Sequence, residues 1–307
     1  MNRFLPIAYF EKRFLPFVDA KLSIATQALH YGTGSFGGIR GMPDPENPKE
    51  ILLFRLERHC QRLCDSAKFL NYDLDLATVK TTLIELIQKN QPKTAFYLRP
   101  FVYVSGLGIA PRLHQITKDF LVYGLELGDY LSPEGVNCRI SSWCRQEDRS
   151  LPLRGKVSGA YITSALAKTE AVESGFDEAI LLNSQGNVCE ASGMNIFLVR
   201  RGALITPGVD QDLLEGITRE SILILAKDLG IETIERPVNK SELFIADEVF
   251  LCGTAAKVLP VQRIENYRLP THRPITQLLQ TKLATIVQKQ DPQYQDWIDT
   301  ISLQSQT

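Results

Sequence analysis

Two periods of apolar residues alternate along the first half of the chain. Leu56, Cys60, Leu63, Cys64, Ala67 and Leu70 recur at helical steps and would line one face of an α-helix. Val79, Leu83, Leu86 and Ile87 repeat that spacing across 78–89 and predict a second helix. Shorter apolar runs bounded by turn formers predict strands. Two fall within 4–17, around a charged turn at Glu11, Lys12 and Arg13, and others at 51–54, 95–105 and 120–127. The stretch GDYLSPEGVN, 128–137, is dense in Gly, Pro and other turn formers and predicts an interdomain linker. Beyond it, strands are expected at 139–143, 179–183, 195–199, 203–206, 249–252 and 258–264. Helices are expected at 159–174, 217–229 and 274–287, and the polar tail after Gln288 is expected on the surface. The pattern predicts a smaller α+β domain over 1–127 and a larger mixed α/β domain over 138–307.

A chain of 307 residues can bury a substantial core in either arrangement. Lys and Arg total 34 against 35 Asp and Glu, and no basic cluster is long enough to point to nucleic acid or an acidic membrane. No apolar run approaches the roughly 20 residues that span a bilayer. The N-terminus lacks the basic start and unbroken apolar stretch of a secretory signal, so the expected compartment is the cytoplasm. Four scattered histidines and six cysteines without ligand spacing give no metal site. Cys60 and Cys64 share a helical face and read as small apolar core residues in a reducing compartment.

Candidate chemistry begins at Lys156, in LRGKVSGAY just before a predicted helix. A loop lysine is ordinarily solvated, and one that attacks a carbonyl must be neutral, through desolvation or neighbouring positive charge. Gly216 precedes the helical run 217–229, so the backbone N–H groups of Ile217 and Thr218 would point at an anion. Tyr97 and Arg99, two residues apart in FYLRP, would share one face of a strand.

Four stretches, in this order and spacing, resemble the class IV aminotransferases, closest to the branched-chain amino-acid aminotransferases. They are HYGTGSFGGIR (30–40), RHCQRLCDSAK (58–68), EASGMNIF with LEGITR (190–197 and 214–219), and FLCGTAAKVLPV (250–261). The resemblance runs from about Ala28 to Arg263. It implies a two-domain fold-type IV enzyme, the larger domain a mixed α/β pseudo-barrel, with pyridoxal 5′-phosphate held where the domains meet. In that resemblance Lys156 carries the cofactor and Glu190 sits beside its ring nitrogen. Arg62, Ile217, Thr218 and Thr254 take the phosphate, and Tyr161 takes the phenolic oxygen. Tyr31, Phe36 and Tyr130 match wall positions of the substrate pocket, and Arg99 matches the residue that receives the side-chain carboxylate of glutamate. Tyr97 and the backbone of Thr254 and Ala255 would hold the α-carboxylate. The implied activity moves amino groups between leucine, isoleucine or valine and 2-oxoglutarate by a ping-pong route. A homodimer, or a hexamer built as a trimer of dimers, is implied as well, with the loop SGLGIA (105–110) reaching a neighbour's pocket.

Gly37 stands where the family commonly has Glu, which changes the pocket rim. Arg112 and His114, in PRLH, resemble the carboxylate trap of the D-amino-acid aminotransferases, which share this fold. That alternative stays open, with the L-branched-chain reading favoured because FYLRP and GTAAK are both present. A lyase of the aminodeoxychorismate type is a further alternative; those enzymes tend to lose the residues matching Thr218 and Thr254, and both stand here.

Overall fold

The computed structural model describes residues 3–128 and 134–303. They form two compact units. Of the described residues, the first comprises 3–128 with 155–159 and 285–303, and the second 134–154 with 160–284.

The first unit is built on an antiparallel sheet. Its strands are β1 (Ile7–Phe10), β2 (Arg13–Pro16), β3 (Gly34–Phe36), β4 (Ile39–Pro43), β5 (Glu50–Phe54), β6 (Phe96–Val104) and β7 (Lys118–Glu126), with Ile298–Ser302 at one edge. β6 is central, pairing with β3, β4 and β7. Glu11 and Lys12 both take positive φ, the left-handed pair that a two-residue hairpin needs to match strand twist. Helices of this unit are α1 (Gln27–Tyr31), α2 (Leu56–Lys68) and α3 (Leu76–Asn90). Asp75 caps α3, its carboxylate accepting from Thr78 N at 2.7 Å. The predicted stripe of α2 is buried together with Val79, Leu83, Leu86 and Ile87 of α3, in one cluster with Leu53, Phe96, Leu98 and Val102 of the sheet. Each such side chain contributes roughly 1.5–3 kcal/mol by leaving water.

The tail after Gln288 departs from the expectation of a surface segment. Ile298–Ser302 pairs antiparallel with β5, and Tyr294, Trp297, Ile298 and Ile301 are buried. A second partner for β5 satisfies an edge that would otherwise leave its N–H and C=O groups open, which is why this C-terminal stretch counts with the first unit.

The second unit holds β8 (Val136–Cys144), α4 (Tyr161–Glu173), β9 (Glu178–Leu182), β10 (Val188–Ala191), β11 (Asn195–Arg200) and β12 (Ala203–Thr206). These are followed by α5 (Ile217–Asp228), β13 (Thr233–Glu235), β14 (Glu248–Gly253), β15 (Lys257–Ile264), β16 (Tyr267–Arg268) and α6 (Pro274–Val287). The sheet order is β10-β9-β8-β15-β14-β11-β12-β13, with β16 on β15. β8 pairs parallel with β9 and β15, and β12 with β13, while the other pairs are antiparallel. The parallel pairs β8–β9 and β12–β13 are each separated in sequence by a helix, α4 and α5, as a parallel connection requires. Among the described residues no helix is long and apolar enough to cross a membrane.

Candidate active site

In the first unit the main chain of Lys156 is held from both sides. Its carbonyl accepts from Phe36 N at 3.0 Å, and its N–H donates to Ser66 Oγ at 3.1 Å. Ser66 in turn donates to the Arg62 carbonyl at 2.7 Å, tying the lysine segment to α2. A Cβ at Gly155 would stand 2.7 Å from the Phe69 ring, so the turn into the lysine admits no side chain there.

The side chains of this unit gather around one aromatic ring. Lys156 Nζ lies 5.1 Å from the Phe36 centroid, and Arg99 Cζ lies 4.5 Å from the same centroid. Arg99 Nη2 donates to Tyr97 Oη at 3.3 Å, so the two residues share a strand face as their spacing predicted. Arg99 Nε is buried without a hydrogen-bond partner among the described residues. A guanidinium in that condition is a ready receiver for a carboxylate. Gly38 leaves the room that Tyr97 occupies, since a Cβ there would sit 1.8 Å from Tyr97 Oη.

His59, on the apolar stripe of α2, is 3% exposed. Burial drives its imidazole well below the usual histidine range, and the positive charges of Arg62, Lys156 and Arg55 push the same way. The side chain is neutral, and those three cations share its neighbourhood. Tyr31 ends α1, and its hydroxyl donates to the Ile109 carbonyl in the loop after β6. Gln27 Nε2 donates to the Ala110 carbonyl of the same loop. Arg112 and His114 are exposed further along it. Tyr130 lies outside the described residues.

In the second unit Glu190 sits on β10 at a register shift between Val188 and Glu190, an irregularity that re-aims a strand side chain. It is buried, and Arg145, Asn195 and Leu214 hold it. Arg145 Nη2 lies 2.9 Å from Oε1, while Asn195 Nδ2 and Leu214 N each donate to Oε2 at 3.2 Å. Arg145 is itself fixed by Nε donating to the Asp212 carbonyl at 3.2 Å. Asn195 continues the chain of contacts by donating to the Leu214 carbonyl at 2.8 Å. Its Oδ1 occupies the space beside Gly216, where a Cβ would come within 2.0 Å. Gly216 is the N-cap of α5 and brings no side-chain cap, which leaves the first-turn N–H groups of Ile217 and Thr218 to serve an anion. Thr254 and Ala255 form the turn between β14 and β15, half-buried, next to Gly253, which abuts Met194. Tyr161 is the first residue of α4 and is half-buried.

Four residues of this geometry escaped the sequence reading: Arg145, Asn195, Ser66 and His59. Only His59 carried a signal, a histidine inside an otherwise apolar helical stripe. The other three are chosen by tertiary neighbours that no local pattern announces.

The family model for amino-transferase class IV matches residues 46–264. A probable branched-chain-amino-acid aminotransferase of Synechocystis sp. is 66% identical over 303 residues, covering 99% of both chains. The crystal structure of the branched-chain aminotransferase from Thermoproteus uzoniensis with norvaline superposes with a TM-score of 0.93 at 34% identity, covering 98% of this chain and 100% of that one. The branched-chain amino acid aminotransferase from Thermobaculum terrenum, in its PLP-bound holo-form, gives 0.91 at 30% identity, again covering 98% and 100%.

Proposed function

The chain belongs to the class IV aminotransferase family, and from that premise we propose that it exchanges amino groups between branched-chain L-amino acids and 2-oxoglutarate. The observation that carries the substrate reading is the Phe36 ring flanked by Lys156 and Arg99, an apolar wall with a half-buried cation beside it. One pocket that must take leucine and then glutamate needs both.

The cofactor is pyridoxal 5′-phosphate, which when bound supplies an electron sink for the pair released at the substrate α-carbon. The donor set fits it. Lys156 provides an amine in a cationic neighbourhood, Glu190 a buried carboxylate, and α5 an uncapped N-terminus. Lys156 is the covalent anchor, and its Nζ takes the α-proton and returns it on the other side of the transfer. Glu190 would hold a proton at the ring nitrogen, with the Arg145 guanidinium 2.9 Å from its other oxygen orienting it. Arg62, the N–H groups of Ile217 and Thr218, and Thr254 receive the phosphate, and the Tyr161 hydroxyl the phenolic oxygen. Phe36, Tyr31 and Tyr130 wall the substrate side chain, Arg99 receives the distal carboxylate of glutamate, and Tyr97 with the Thr254–Ala255 backbone receives the α-carboxylate.

The exposed apolar tips Leu107 and Ile109, 62% and 93% accessible, support the expectation of a homo-oligomer in which the loop 105–110 serves a neighbouring copy. All six cysteines are free and five are buried, in keeping with the cytoplasm.

Initial-rate kinetics with L-leucine and 2-oxoglutarate should give parallel double-reciprocal lines, and intersecting lines would reject the ping-pong order. The holoenzyme's visible band should bleach with L-leucine and L-glutamate; bleaching by D-alanine alone would transfer the carboxylate role to Arg112 and His114. Arg99→Met should raise KM for 2-oxoglutarate about a hundredfold, the loss of a charge-assisted pair, while sparing the oxo acid of leucine. Equal losses on both would make Arg99 structural.

A further inference from the structure

A cavity of about 660 Å³ opens in the second unit, away from every residue assigned above. Its walls come from β15, β16, the first turns of α6 and the approach to β8. Arg263, Arg268 and Arg273 all line it, and Glu134 is its one acidic wall residue. None of the three guanidinium groups has a carboxylate within ion-pair range among the described residues.

The direct partners of Arg263 and Arg273 are neutral, and Arg268 is exposed. Arg263 stacks on the Phe176 ring at 4.8 Å. Arg273 donates from Nε to the Pro270 carbonyl at 3.0 Å and from Nη1 to the Glu134 carbonyl at 3.5 Å. Arg273 is 9% exposed, and burial pushes its guanidinium below the usual arginine range, with the charge of Glu248 offsetting only part of that effect. A buried cation whose hydrogen bonds go to carbonyls retains uncompensated charge, which is costly unless an anion joins it. Thr276 Oγ1, on the same wall, is buried without a hydrogen-bond partner. The helix terminus does not account for the site, because Glu248 already accepts from Ile275 N at 3.1 Å and Thr276 N at 2.7 Å. The walls carry amide and hydroxyl groups from Gln262, Gln277, Gln280 and Thr271, beside the apolar side chains of Leu269 and Pro260.

We infer that this cavity binds a small multivalent anion, its phosphate or carboxylate groups received by Arg263, Arg268 and Arg273. Guanidinium forks bind both groups bidentately, and the volume admits a molecule larger than a single phosphate. Beyond its anionic groups the ligand carries hydroxyl or carbonyl groups to meet the glutamines and threonines.

The test is isothermal titration calorimetry of the cofactor-loaded protein with pyrophosphate and, separately, with citrate, against sodium chloride at matched ionic strength. Saturable binding of either probe is expected, and the stronger one distinguishes a phosphate from a carboxylate ligand. Arg263→Gln and Arg268→Gln should each weaken it about tenfold and together about a hundredfold, with the circular dichroism spectrum unchanged. Arg99→Met should leave it intact. The inference is overturned if neither probe binds above the salt control, if the two glutamine substitutions leave affinity unchanged, or if Arg99→Met abolishes binding.

Discussion

Replacing Arg145 by methionine should destabilise the second unit by about 3–4 kcal/mol, and the magnitude can be built from its contacts. The side chains of Arg145 and Glu190 are 5% and 9% exposed and meet at 2.9 Å, so solvent screens little of their attraction. Truncating one partner of such a pair strands the other and costs about 3–5 kcal/mol. Glu190 keeps two hydrogen bonds, from Asn195 Nδ2 and Leu214 N, both at 3.2 Å, which places the loss toward the low end of that range. The bond from Arg145 Nε to the Asp212 carbonyl disappears as well and adds about 1 kcal/mol. Glu190→Gln keeps the shape of the acid and removes its charge, so a double-mutant cycle isolates the ionic part. Urea unfolding of the four cofactor-free proteins should give a coupling energy of about 2 kcal/mol, within the range of contacting residues. Arg145→Lys should recover part of the stability, because a point charge restores attraction but not the second contact. A coupling below about 0.5 kcal/mol, the scatter of independent sites, would show that Arg145 does not hold the acid in its charged form.

Two further perturbations probe the first unit. His59 is neutral in the fold with its proton affinity lowered, so it contributes fully above about pH 6.5, the unfolded value, and that contribution is lost as pH falls below it. The loss approaches about 1.4 kcal/mol per pH unit well below that value, and His59→Gln should flatten the acid limb of a urea-unfolding profile between pH 7.5 and 5.5 by about 1.4 kcal/mol in all; an unchanged limb would place the titration elsewhere. Gly38→Ala would put a Cβ 1.8 Å from Tyr97 Oη and 2.6 Å from its Cζ, forcing the ring off its position. An ångström of displacement at a binding group can cost about a hundredfold, so KM for both substrates should rise steeply, whereas Gly202→Ser, on a surface turn with open space around it among the described residues, should be silent in KM. Equal kinetics in the two variants would remove Tyr97 from the pocket.

The legible features of this chain are those that short stretches decide by themselves. The α2 stripe predicts its own buried face, because side chains at three- and four-residue steps meet whatever covers them. The same holds for Tyr97 and Arg99, which share a strand face by period alone, and for the turn at Glu11 and Lys12. Motif order singled out Lys156 and Glu190, and the fold holds the Lys156 main chain between Phe36 and Ser66 and buries Glu190 beside Arg145.

Tertiary structure decided the partners. Nothing local tells Ile298–Ser302 that β5 is its neighbour, because an open strand edge is satisfied by whichever strand the chain path delivers. Nothing local pairs Arg145 with Glu190, or sets three arginines around one cavity. Sequence determined which faces are apolar and which groups can carry the chemistry, since both follow from residue type and spacing. Which charge is buried beside which other depends on contacts between residues far apart in the chain, and only the folded path brings those together.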